Sequence, residues 1–137
     1  MVPFRSILVP LDGSALAEKA LAAALQLARA MAGRADATSV RLILLRVVGP
    51  VALVAADPML YDELMRMGVD EAQAYLKTVV ETVDAGPVQV DVQAVSGAPA
   101  DAIVHYAEEH GVDLIVMSSH GRTGSSRWVY GLSLIHI

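Results

Sequence analysis

Cysteine is absent from the 137 residues, which excludes disulfides, zinc thiolates and thiol redox chemistry. Aromatic residues make up 4% of the chain, so packing has to come from aliphatic side chains and alanine. No lysine follows Lys77 and no G-x4-G-K-[ST] run occurs, which excludes a P-loop; a G-x-G-x-x-G fingerprint after the first apolar run is also missing. With a net charge of −5 and no basic cluster, the chain lacks the means to neutralise a nucleic-acid backbone. The histidines, His105, His110, His120 and His136, include no pair at i, i+4 spacing, the arrangement that places two metal ligands on one helical face. No apolar run reaches the roughly 18 residues of a membrane span. No signal-like segment opens the chain, so the expectation is a soluble cytoplasmic protein without a membrane partner.

What is present is a chain 55% hydrophobic, enough for one compact core at this length. Ser6-Ile7-Leu8-Val9-Pro10 reads as a strand buried on both faces and stopped by its proline. A helix follows, with Ser14 as N-cap, Ala17, Leu21, Ala24, Leu25, Ala28 and Met31 on one face, and Gly33 at its end. Residues 40–48 read as a second central strand and 51–58 as a loop. From about Met59 helical spacing resumes, with Met65, Val69, Ala72, Leu76, Val79 and Val83 on one face and the methionines serving as core filler. Residues 88–95 alternate valine or alanine with Gln89, Asp91 and Gln93, the pattern of a half-wet strand at a sheet edge. Pro99 opens a third helix with Ile103, Val104 and Ala107 inward and Gly111 as its stop, and a strand starts at once from Val112. Strands alternating with helices give an α/β domain with a parallel sheet and right-handed crossovers.

Residues 112–131, VDLIVMSSHGRTGSSRWVYG, begin as an apolar strand and break into a loop of Gly, Ser and Thr with two arginines. That composition gathers backbone N–H groups around an anion. In a parallel sheet the end of the first strand, Pro10-Leu11-Asp12-Gly13-Ser14, lies on the same edge, so the two loops are placed to share one ligand, a nucleotide phosphate being the candidate. Ser118, Gly121, Gly124 and Gly131 supply the small residues, Asp12 a ribose partner, Arg122 and Arg127 charge, and Thr123, Ser125 and Ser126 hydroxyls. A surface loop and a helix-capping Asp12 are the plain structural readings of the same residues. Ser119 and His120 are adjacent and point apart, so they make no nucleophile pair.

The segments ILVPLDGS and VSGAPADAIVHYAEEHGVDLIVMSSHGRTG, in that order, resemble the first strand and the most recognisable segment of the universal stress protein family. The resemblance covers essentially the whole chain up to Gly131. It implies a three-layer, Rossmann-like α/β sandwich with a parallel sheet in strand order 3-2-1-4-5. ATP-binding members carry G-x2-G-x9-G-[ST] after strand four; the aligned positions here are Ser118, Gly121 and Gly131, followed by Leu132. The resemblance puts Pro10, Asp12 and the backbone around Val47 at the adenosine end of an ATP pocket. It puts Met117, Ser118, Gly121, Arg122, Gly124, Ser125 and Gly131 around ribose and phosphates, with Mg or Mn held through the phosphates and no metal ligands from the protein. The implied function is an ATP-dependent regulatory switch of the stress response, at most a slow ATPase and with no catalytic residue assigned. The family's usual homodimer and an unidentified regulatory protein partner come with it. The rivals are a nucleotide-independent dimerising scaffold of the same fold and an adenylating α/β enzyme, whose HxGH- or SGGxDS-like signatures do not occur.

Residues 132–137, LSLIHI, can be read as CTG TCT CTT ATA CAC ATC, the transposon end joined to fragments in one common sequencing-library preparation. The domain is therefore expected at 1–131, with 132–137 a translated adapter, not native sequence, and the family's own fifth strand missing. A chain ending there is expected to leave strand one or four with an open apolar edge. An ordinary apolar strand is the alternative.

Overall fold

The computed structural model describes residues 5–13, 15–33, 40–49, 57–120 and 126–130, with the backbone alone at Leu16, 118–120 and 126–130. The strands are β1 (Ser6–Pro10), β2 (Arg41–Val48), β3 (Gln89–Ser96), β4 (Leu114–His120) and β5 (Ser126–Tyr130). The helices are α1 (Ala15–Ala32), α2 (Pro58–Glu81) and α3 (Pro99–Glu109). The sheet order is β3-β2-β1-β4-β5, and β1, β2, β3 and β4 pair in parallel. This is the three-layer α/β sandwich expected from the sequence, with β3 at an edge.

The central strands are apolar at consecutive positions because each face of the sheet is covered. Ile7, Val9, Leu42, Leu44, Leu114 and Val116 pack on the side of α1 and α2. Leu8, Ile43, Leu45 and Ile115 pack on the opposite side with Ile103 and Ala107 of α3. Burying one such side chain stabilises the fold by about 1.5–3 kcal/mol. On α1 the buried face includes Ala20, Ala24 and Ala28, each at 0% exposure; their short side chains let the helix lie close on the sheet. Asp113 ties β1 to β4: its Oδ2 accepts from the backbone N–H groups of Arg5 (2.8 Å) and Ser6 (3.1 Å), and its own N–H donates to the Ser6 carbonyl (3.0 Å).

Four sequence expectations are corrected. The buried residues of α2 are Ala72, Leu76 and Val79, while Met65 and Val69 of the same face are only half-buried. Met59 and Met67 are 84% and 56% exposed and are not core filler. On α3, Val104 is 37% exposed; a helix lying on one side of a sheet buries only the stripe through Ile103 and Ala107. The stretch after β4, read as one loop, contains β5, which pairs antiparallel with β4 from Val116↔Tyr130 to His120↔Ser126. The connection 121–125 is too short for the dozen or more residues of a parallel crossover, so the two strands pair as a hairpin. β1 and β4 consequently have neighbours on both sides, and neither is the open edge expected from sequence.

Candidate nucleotide site

The carboxyl ends of β1 and β2 stop at different heights, and a cavity opens beyond them. Leu11 N–H still donates to the Leu45 carbonyl at 2.8 Å, so the chain leaves β2 only at Asp12 and Gly13. Gly13 has φ +89°, a conformation a side chain disfavours, and this turn feeds directly into α1. Across the gap α2 passes over the end of β2: a Cβ on Gly68 would stand 3.1 Å from Val48 Cγ1. The cavity between them measures about 540 Å³ and is lined by Gly13, Arg46, Val47, Gly68, Glu71 and Tyr75, among others. That volume lies within the range of about 300–1,000 Å³ common to small-molecule sites.

Arg46 and Tyr75 form one unit in its wall. The Arg46 guanidinium carbon lies 5.0 Å from the centre of the Tyr75 ring, a cation–π contact. The Tyr75 hydroxyl donates to Glu18 Oε2 on α1 at 2.8 Å. Burial, and then this bond to a carboxylate, push the Tyr75 phenol up to about 12. Arg46 also passes close to Gly13: a Cβ there would be 2.7 Å from Arg46 Nη1. Tyr75 further borders a groove of about 520 Å³ between α1 and α2, so one ring separates two concavities.

Of the residues expected to hold nucleotide, Val47 lines the cavity, Pro10 closes β1, and Asp12 is exposed immediately after it. Met117 lies in β4 and packs with Val47 against the α3-side core. Ser118 is a strand residue opposite Trp128. Gly121, Arg122, Gly124, Ser125 and Gly131 lie outside the described residues, as do 132–137. Sequence reasoning missed Arg46, Glu71 and Tyr75. A signal for Arg46 was available: a charged residue interrupts an otherwise apolar strand end, RLILLRVV. Among the described residues no group of three His, Asp or Glu gathers to hold a metal ion.

Fold and cavity define a class, a parallel α/β domain with a concave site at the carboxyl edge of its sheet. The chain belongs to the universal stress protein family, whose model matches residues 3–132. The universal stress protein MJ0531 of Methanocaldococcus jannaschii is 31% identical over 129 residues, covering 93% of this chain and 72% of that protein. The solved structure of protein MJ0577 is similar at a TM-score of 0.72 and 28% identity, covering 90% of this chain and 81% of that one. A universal stress protein solved in complex with cAMP is similar at a TM-score of 0.52 and 27% identity, covering 85% and 73%.

Proposed function

We propose that this protein is an ATP-binding universal stress protein that works as a nucleotide-dependent regulatory switch. The carrying observation is the cavity of about 540 Å³ at the ends of β1 and β2, lined by Val47 and bordered by the turn through Asp12 and Gly13. The relative solved with cAMP supports an adenine nucleotide as the ligand class. In this reading Pro10, Asp12 and Val47 serve the adenosine, while Met117, Ser118, Gly121, Arg122, Gly124, Ser125 and Gly131 serve ribose and phosphates. A divalent ion, Mg or Mn, enters with the phosphates, as Mg bound to nucleotides does when it keeps several of its waters. Occupancy then favours one arrangement of the segment after β4 and alters the surface offered to a second copy of the chain or to a regulatory protein in the cytoplasm.

The test is calorimetric titration of the purified protein with ATP and Mg, beside Gly121→Val. Saturable binding by the wild type that is lost in the variant is the expected result. A folded wild type that binds neither ATP nor cAMP removes the switch.

A further inference from the structure

We infer that Arg46 and Glu71 read the hydrogen-bonding edge of the nucleotide's base and are the specificity-determining side chains of the cavity. The inference rests on the nucleotide reading above and sharpens it. Among the described lining residues Arg46 is the cation and Glu71 the anion. A guanidinium offers only donors and a carboxylate only acceptors. Such a wall complements a planar ligand that carries a ring-nitrogen acceptor beside an exocyclic amino donor, which is the edge adenine presents through N7 and its N6 amino group. A phosphate suits it less well. Glu71 shares the cavity with Arg46, so a carboxylate offsets the guanidinium there.

Arg46 is also held in place. It rests on the Tyr75 ring, whose hydroxyl is anchored on Glu18 of α1, and it fits beside a Gly13 that has no Cβ to displace it. A guanidinium fixed in this way keeps its planar fork of donors pre-organised. Tyr75 is therefore a positioning residue for Arg46.

The experiment titrates the full chain with ATP, adenosine and N6,N6-dimethyl-ATP, whose amino group has no hydrogen to donate. The wild type is expected to bind N6,N6-dimethyl-ATP about tenfold more weakly than ATP, the loss of one hydrogen bond to a charged group. Arg46→Met is expected to weaken ATP and adenosine alike by about tenfold. Glu71→Met equalises ATP and its dimethyl analogue, and Tyr75→Leu weakens ATP and adenosine as Arg46→Met does. Equal binding of ATP and N6,N6-dimethyl-ATP by the wild type overturns the inference without any variant having to fold. An Arg46→Met protein that loses ATP but retains adenosine places Arg46 on phosphate and overturns it too. A wild type that binds none of the three removes the nucleotide reading itself, so the two failures are distinguishable.

Discussion

Gly13 and Tyr75 are the two residues whose chemistry most directly shapes the cavity. Alanine at position 13 is expected to cost about 1 kcal/mol because φ is +89° there, measurable as a lower urea midpoint. Its Cβ also pushes Arg46 aside, so nucleotide affinity should fall in the same variant. For Tyr75 the direction of the pH effect follows from the neutral phenol being favoured in the folded chain. An unfolded tyrosine releases its proton near 10.0 and the folded one near 12. The folded state holds the extra proton in that window, so its stability is intact below pH 10 and is lost as pH rises towards 12. Urea titrations across that window should show the wild type losing stability more steeply than Tyr75→Phe.

At the scale of elements, one carboxylate reinforces the backbone pairing where β1 meets β4. Asp113→Ala leaves two N–H groups at the start of β1 without their acceptor. It should destabilise the protein by about 1–3 kcal/mol, with Asp113→Asn, which keeps one acceptor oxygen, recovering part of that in the same denaturation assay. The elements themselves were legible in the sequence wherever burial was two-sided or strictly periodic: the apolar runs of β1 and β2, the alanine face of α1, and the alternation of β3. Legibility failed where the decisive fact was what a partner covers. Helical spacing runs through the first half of α2 but does not say which side chains are covered: Met59 and Met67 stay exposed, Met67 beside the Gly68 that packs on β2. β5 was hidden because Ser, Arg and Gly around Trp128 read as loop composition, and pairing with β4 is information that no local pattern carries. Of the cavity's lining, Val47 came only with the family resemblance, whereas Arg46, Glu71 and Tyr75 meet only once α2 has crossed over β2.

The molecule as a whole is one sheet shared by two cores of different size. Ile43 and Leu44, neighbours on β2, belong to opposite cores. Replacing either with alanine should cost about 2–5 kcal/mol. Because both cores grip the same strand, each variant should unfold in one transition with the wild-type dependence on urea. A separate early transition in Ile43→Ala would show that the α3 side comes apart on its own.

The strand at the middle of this sheet is synthesised long before one of its two neighbours. β1 acquires β2 as soon as Arg41–Val48 has left the ribosome, but its other side waits for Leu114–His120. At roughly 5–20 residues per second, Ile7, Leu8 and Val9 spend several seconds of every synthesis with one flank of backbone unpaired. The nascent chain is therefore most open to capture by chaperones, or by another nascent chain, at the strand that is most enclosed once folding is complete.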